Sequence, residues 1–170
     1  MKILSTLVFI IALATRGASQ GPNQISLKDT VGWMTSFLGQ HGMSMANGKL
    51  ADTTKISSSE GCTISITHLS TWATAKEFKT RSESVNLRDF DPTNIRFRGM
   101  SGDGGAYEVT IERTDSLPKT EVAVERGDGT KETLKFAQIS FVMDSKENAG
   151  RFGAALHHAI RLCGGTTAPF

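Results

Sequence analysis

The chain has 170 residues, and its content of 38% hydrophobic, 7% aromatic and 21% charged residues is that of one soluble globular domain. Lysine and arginine together number 19, against 17 for aspartate and glutamate. Binding to nucleic acid or to an anionic membrane surface depends on a surplus of basic residues. The composition therefore argues against both of these function classes, and it predicts neither disorder nor a membrane-embedded chain.

The first nineteen residues have the pattern of a secretory signal peptide. Lys2 precedes an apolar run over residues 3–14, and the small residues Gly17-Ala18-Ser19 follow it. The alternative is an N-terminal membrane anchor, but the run is shorter than the roughly 20 residues that span a bilayer. We therefore expect residues 1–19 to be removed on export. Residues 20–170 then form a single domain in the periplasm or the medium, with no transmembrane segment in the mature chain.

A helix is predicted at the start of this domain. Ser26 is a plausible N-cap because Asp29 follows it three residues later, a short form of the capping box. The helix is expected over residues 27–39, with Gly39 and Gly42 ending it. Its apolar stripe, at the helical period, consists of Leu27, Val31, Met34 and Leu38.

Beyond residue 59 the hydrophobic period changes from that of a helix to that of a strand. Cys62, Ile64 and Ile66 alternate with Thr63, Ser65 and Thr67, as in a half-buried strand. Further strands are predicted at residues 78–87, 94–98, 107–114, 120–126 and 133–143, and the segment near 49–56 is either a loop or a weak strand. The turn Gly127-Asp128-Gly129 is the strongest hairpin signal. No helical pattern separates these strands, so the sheet is expected to be antiparallel.

The chain closes with a second amphipathic helix. Asp144 is its predicted N-cap with Glu147 as the box partner, and Gly164-Gly165 is its stop. Its apolar arc consists of Ala149, Phe152, Leu156, Ala159, Ile160 and Cys163. The expected fold is α+β: an N-terminal helix, six or seven antiparallel strands in a bent sheet or partly open barrel, and a C-terminal helix packed on it.

Three segments together carry a resemblance: Thr30-Val31-Gly32-Trp33, residues 85–92, and the second helix from residues 148–152 to residues 161–165. In these segments the chain resembles a group of uncharacterised secreted bacterial proteins, over most of the mature length. Its strand count and terminal helix are similar to those of pleckstrin-homology-like folds. The resemblance implies an interaction or binding scaffold and assigns no site.

Cys62 and Cys163 are the only two cysteines. Both lie on predicted core faces of a chain expected in an oxidising compartment, so we predict that they form a disulfide. The alternative is a pair of buried free thiols. A bridge would tie the C-terminal helix to the first clear strand.

The sequence offers no compelling catalytic or metal-binding constellation, and we expect no metal and no cofactor. His41, His157 and His158 lack ligand spacing, and His68 shares a strand face with Ile64 and Ile66, as a hydrogen-bonded, partly buried histidine would. Two serines, Ser44 and Ser101, lack the strand-to-helix context of a nucleophile elbow. The acidic residues Asp89, Asp91 and Asp103 lack the glycine or third acid of a calcium loop. The Gly-rich stretch over residues 99–105 precedes a predicted strand and not the helix of a phosphate-binding loop.

The remaining candidate is an apolar groove at the open end of the sheet. Trp72, Phe78 and Phe97 are the residues predicted to contact a ligand there. The preferred function is a secreted, non-enzymatic binding module of the bacterial envelope, acting on an unknown protein, peptide or lipid-like ligand. The alternative is a small secreted hydrolase that uses His68 and a serine from a loop.

Overall fold

The structure is a computed structural model that describes residues 25–43, 53–58, 61–70, 74–76, 78–100, 105–113 and 117–165. The expected signal peptide, Trp72, Ser44, Ser101 and Asp103 lie outside these residues. The export of the chain and the role of Trp72 therefore stay predictions.

The described residues form two helices and eight antiparallel strands, which confirms the α+β class. The helices are α1 (Leu27–His41) and α2 (Lys146–Leu162), and a short 3-10 turn spans Leu87–Asp89. The strands are β1 (Thr53–Ser58), β2 (Thr63–Leu69), β3 (Phe78–Asn86), β4 (Phe90–Gly99), β5 (Tyr107–Arg113), β6 (Thr120–Arg126), β7 (Lys131–Phe136) and β8 (Gln138–Met143). They do not close into a barrel.

Two separate sheets replace the single bent sheet that the sequence favoured. One has the order β1-β2-β3-β6-β7 and the other has the order β4-β5-β8. The strand predicted over residues 133–143 is in fact two strands that join different sheets. Ala137 lies between them, and its carbonyl accepts a hydrogen bond from the Arg113 N–H at 2.8 Å. This division, together with the weak strand that became β1, accounts for eight strands instead of six or seven.

The hairpin between β6 and β7 is confirmed. Glu125 lies opposite Lys131, and the Arg126 N–H donates to the carbonyl of Thr130 at 2.9 Å. Gly129 has φ +86°, a left-handed conformation that glycine adopts without the steric cost of a side chain.

The start of α1 is as predicted, and its end is two residues later. The Ser26 hydroxyl accepts from the Asp29 N–H at 3.1 Å, so Ser26 is the N-cap. The helix passes through the exposed Gly39 and ends at His41. Gly42 is its C-cap, and the Gly42 N–H donates to the Leu38 carbonyl at 2.8 Å. A Cβ at Gly42 would lie 2.5 Å from that carbonyl oxygen, so only glycine permits this approach.

The predicted cap of α2 is wrong by one residue. Ser145 is the N-cap, because its hydroxyl accepts from the Asn148 N–H at 3.2 Å. Asp144 instead binds the Asn148 side-chain amide at 2.7 Å and lies 2.9 Å from His41 Nδ1. Glu147, the predicted box partner, is exposed in the first turn. The Asp144 side chain thus bonds to the end of α1 and to the start of α2, and the adjacent Ser145 caps α2.

The core lies between the inner faces of the two sheets and the two helices, and the predicted apolar arc of α2 is buried in it. Cys62 and Cys163 form the predicted disulfide, with their Cα atoms 5.5 Å apart across 101 positions of sequence. The Arg88 Nε also donates to the Cys163 carbonyl at 3.0 Å. The bridge and this hydrogen bond attach the end of α2 to the sheets. The largest fully buried side chains are Phe90, Phe141, Phe152, Met34, Ile64, Ile66, Leu87, Ile111, Ile139, Met143, Leu156 and Ile160.

No helix within the described ranges is long and apolar enough to cross a membrane.

Candidate functional site

The two faces of the five-stranded sheet differ in chemistry. Successive side chains of a strand point to opposite faces, so the register assigns every residue to one face or the other. The inner face carries Ile56, Ile64, Ile66, Val85, Val122 and Val124, all of them buried in the core. The residues between them form the outer face.

Serine and threonine dominate the outer face over the first three strands. Ser57 lies opposite Ser65, and Ser65 lies opposite Ser84. A second row runs from Thr67 to Ser82 and continues through Ala123 to Thr133. We call the eight described hydroxyl residues of this surface, none of them buried, the hydroxyl face: Ser57, Thr63, Ser65, Thr67, Thr80, Ser82, Ser84 and Thr133.

A concavity of about 380 Å³ lies at the β7 side of the hydroxyl face. On this side of the sheet the lining offers three hydroxyls, the Glu125 carboxylate and the Lys131 ammonium group, whereas the side chains of Val124 and Glu132 point to the inner face. The lining residues are Thr80, Ser82, Ala123, Val124, Glu125, Lys131, Glu132 and Thr133. This volume falls within the range of small-ligand sites, roughly 300–1,000 Å³.

The charged groups at the concavity form ion pairs that leave an excess of positive charge. Glu125 has Lys131 at 3.6 Å and Lys79 at 3.6 Å, so two lysines share one carboxylate. Glu132 accepts from Arg126 Nε at 2.7 Å, but this pair lies on the inner face, opposite Val124.

The sequence-predicted ligand contacts Phe78 and Phe97 lie on different sheets, and their role in ligand binding stays a prediction. Phe78, in β3, is 38% exposed, and the Arg126 guanidinium lies 5.0 Å from its ring centroid. Arg126 also donates to Glu132 at 2.7 Å. Phe97, in β4, is 51% exposed and packs over Gly153 of α2, where a Cβ would lie 2.5 Å from Phe97 Cζ.

His68 is a half-buried, hydrogen-bonded histidine, as the sequence predicts. Its Nδ1 lies 2.9 Å from the Thr54 hydroxyl on the neighbouring strand, and its Nε2 lies 4.0 Å from Glu83 Oε1. Burial, and then the charge of Arg81, lower the pKa of His68 from 6.5 to about 4. The imidazole is therefore neutral at pH 7.

Glu83 and Arg81 form a buried ion pair that the sequence analysis missed. Arg81 donates to Glu83 Oε1 at 3.1 Å, and its guanidinium lies 4.4 Å from the ring centroid of Phe136. The Glu83 side chain is 0% exposed, and burial raises its pKa against the opposing effect of Arg81. Within the described chain, Glu83 Oε2 and Arg81 Nε have no hydrogen-bond partner. The signal that could have found the pair is the alternation of Arg81, Glu83 and Val85 on one predicted strand face.

The other three histidines differ from His68 and from each other in their contacts and burial. His41 Nδ1 contacts both Asp144 and Asn148. Burial raises the pKa of Asp144, but hydrogen bonds from Asn148 and His41 oppose this effect, and the pKa is lowered overall. His157 is half-buried. His158 was predicted on the solvated face of α2, but it is half-buried and its Nε2 has no hydrogen-bond partner in the described part.

The two acidic calcium candidates that the structure describes have protein partners. Asp89 pairs with Arg113, and Asp91 Oδ1 accepts from the N–H and the hydroxyl of Thr93 at 2.8 and 2.7 Å. No group of three or more His, Cys, Asp or Glu residues that could hold a metal ion occurs among the residues described.

An aromatic strip lies where α1 meets α2. Trp33 stacks on Phe37 with a centroid distance of 4.5 Å, and Phe37 contacts His41 at 4.6 Å. The Arg151 guanidinium of α2 lies 4.9 Å from the Phe37 centroid. The strip packs the helices together, and the 39% exposure of Trp33 leaves it partly open to solvent.

No protein-family model matches this chain, and comparison with curated proteins and with solved structures also finds no match. The function is therefore argued from the chemistry of the described surfaces.

Proposed function

We propose that the mature protein is an extracytoplasmic, non-enzymatic binding module whose binding surface is the hydroxyl face with its concavity. The observation that carries the proposal is the contrast between the two faces of the five-stranded sheet. One face is packed into the core, and the other presents eight hydroxyl residues, three of which line a concavity of about 380 Å³. Small-ligand sites are concave and hold a small number of precisely placed polar groups.

The position of these hydroxyls favours binding. They lie on paired strands, so their backbones are held in place before a ligand arrives. Serine and threonine also have short side chains, which lose little rotamer entropy when they become ordered. A preorganised surface of this kind loses less free energy to ordering on binding than a flexible loop does.

The disulfide supports the extracytoplasmic part of the proposal. Bridges between cysteines persist in the periplasm and outside the cell and are rare in the reducing cytosol. Cys62 and Cys163, the only cysteines of the chain, are joined to each other. The expected signal peptide over residues 1–19 directs the chain to the same compartments.

Co-sedimentation with envelope fragments of the producing cell tests the proposal. The protein used is the secreted form, and Ala123→Tyr fills the floor of the concavity. Ala154→Tyr, at an exposed position of α2, is the matched control. We expect the wild type and Ala154→Tyr to sediment with the fragments and Ala123→Tyr to remain in solution. Failure of the wild type to sediment, or equal retention of all three proteins, contradicts the proposal.

A second candidate function is hydrolysis with His68 as general base. The contact of 2.9 Å between the Thr54 hydroxyl and His68 Nδ1 favours it, because a hydroxyl in that position could pass its proton to the imidazole. A base with a pKa of about 4 accepts a proton weakly at neutral pH, so this activity would be low. The test is hydrolysis of p-nitrophenyl acetate: a rate that His68→Asn abolishes supports catalysis, and equal rates for the two proteins count against it.

A further inference from the structure

The edge of the five-stranded sheet at β7 is open, whereas the other edge strands have parts of the chain packed on them. Four strands, β1, β4, β7 and β8, lie at the edges of the two sheets. The Thr35 hydroxyl of α1 donates to the Ile56 carbonyl of β1. The Met43 N–H donates to the Val142 carbonyl of β8, and α2 packs on β4. Among the described elements, only β6 packs along β7.

The register shows which backbone groups this open edge presents. The Arg126 N–H donates to the Thr130 carbonyl, so hydrogen-bonded pairs recur at every second position along β6 and β7 from that pair onward. The residues between them direct their N–H and C=O groups away from β6. Lys131, Thr133 and Lys135 occupy these positions on β7. In the part of the chain that the structure describes, no backbone hydrogen bond reaches these groups.

The side chains along the edge favour an acidic partner strand. Lys79, Lys131 and Lys135 lie on the outer face beside only two carboxylates, those of Glu121 and Glu125, so positive charge is in excess. A strand that pairs with β7 places its side chains directly opposite those of β7 on the same face. Acidic residues four positions apart on such a strand would lie opposite Lys131 and Lys135.

A second copy of β7 does not fit this edge. Antiparallel pairing of two β7 strands centred on Thr133 would place Lys131 opposite Lys135 twice, and like charges directly opposite each other destabilise a sheet. Edge lysines commonly protect a sheet from pairing with itself in this way. On the inner side of the edge, Leu134 and Phe136 are half-buried and offer apolar surface to an added strand.

We propose that β7 binds an extended acidic segment of a partner protein, which adds to the five-stranded sheet as a sixth, antiparallel strand. The segment carries Asp or Glu at two positions four residues apart, opposite Lys135 and Lys131. The residue midway between them pairs with Thr133, and apolar residues separate the three. Backbone hydrogen bonds supply the affinity, and the lysines select the acidic sequence. This site goes beyond the function proposed above, because the added strand uses the edge of the sheet and not its concavity.

Three fluorescently labelled heptapeptides test this inference by anisotropy at low ionic strength. The acidic peptide is Thr-Glu-Val-Thr-Val-Glu-Thr, which has the same sequence in either direction. The basic peptide replaces both Glu by Lys, and the proline peptide replaces the central Thr by Pro. We expect the acidic peptide to bind. The basic peptide should bind about tenfold more weakly or less, because of charge repulsion. The proline peptide should show a similar loss, because proline cannot donate to the ladder.

Variants of the protein test the same contacts from the other side. Lys131→Glu with Lys135→Glu is expected to weaken the acidic peptide about tenfold or more and to favour the basic peptide instead. The control, Lys28→Glu with Lys146→Glu, makes the same change of net charge at exposed helix positions and should keep the acidic peptide within about twofold. Thr133→Pro removes an N–H from the open edge and none from the β6 ladder, so it should fold and lose binding. Circular dichroism verifies the fold of each variant.

Hydrogen exchange locates the bound peptide. The amides of Lys131, Thr133 and Lys135 should exchange more slowly when the acidic peptide is bound. Absence of acidic-peptide binding, or equal binding of the acidic and basic peptides, overturns the proposal. Equal binding of the proline peptide would reduce the interaction to ionic attraction and overturns strand addition. Self-association of the wild type that Thr133→Pro abolishes would assign the edge to a second copy, which also overturns the proposal.

Discussion

Replacing both cysteines by alanine should destabilise the protein without changing its fold. Cys62 and Cys163 are bonded, and Cys163 is buried in the core beside Ile160 and Leu156. Alanine introduces no polar group at that position. The double variant therefore measures mainly the loss of the cross-link and of two sulfur atoms.

The expected magnitude follows from the length of the loop that the bridge closes. The two cysteines are 101 positions apart. In the chain-entropy model a loop of about 100 residues stabilises the folded state by about 4.7 kcal/mol at 25 °C, and measured values are more often about 2–4 kcal/mol. We expect a loss of about 2–4 kcal/mol in the free energy of unfolding.

Urea unfolding at pH 7.5, followed by circular dichroism, measures this loss. The slope of unfolding free energy against urea concentration should rise, because the unfolded chain without the bridge exposes more surface. Wild type treated with a thiol reductant in the unfolded state and then refolded should match the double variant. A loss below about 1 kcal/mol with an unchanged slope would show that the cross-link does not restrict the unfolded chain, against the reasoning above.

Three further predictions concern the rest of the fold. His68 has its pKa lowered from 6.5 to about 4, so the unfolded chain binds more protons than the folded one between these pH values, and stability falls as the pH drops through this window. Between pH 8 and pH 5 the wild type should lose about 2 kcal/mol more than His68→Asn in urea unfolding, and equal losses would refute the shift. Ser145→Ala removes the N-cap of α2 and should cost about 1 kcal/mol, measured as a lower midpoint of thermal unfolding; an unchanged midpoint would mean that Asp144 can replace the cap. Leu156→Ala, at a fully buried position of α2, should cost about 2–5 kcal/mol in the same assay, and a cost under 1 kcal/mol would contradict its place in the core.

The helix ends and turns of this fold could be predicted from the sequence, because interactions between residues close together in the chain specify them. Ser26 caps α1 through its own side chain, the α2 arc follows the helical period, and Gly129 provides the turn between β6 and β7. Each of these signals lies within a few residues of the structure it specifies. The cysteine pair was also predictable, since only one pairing exists and both residues lie on apolar faces.

The division into two sheets could not be read in this way. Residues 133–143 form one continuous strand-like run, and only pairing with β6 on one side and β5 on the other breaks it at Ala137. The position of Asp144 depends in the same manner on His41, which is 103 residues earlier in the chain. Strand partners and such long-range hydrogen bonds are chosen by packing in three dimensions, not by the period of the sequence.

The candidate site, too, could be predicted from the sequence only in part. The alternation of hydroxyl residues with Ile64 and Ile66 on β2 was visible in the sequence, and it predicted a strand with one polar face. The register aligns the hydroxyls of β1, β2 and β3 in rows, because it pairs Ser57 with Ser65 and Thr67 with Ser82. The sequence by itself thus determined which side of each strand is polar, because side chains alternate along any strand. Only the tertiary structure decided which polar sides lie next to each other, because that depends on contacts between residues far apart in the chain.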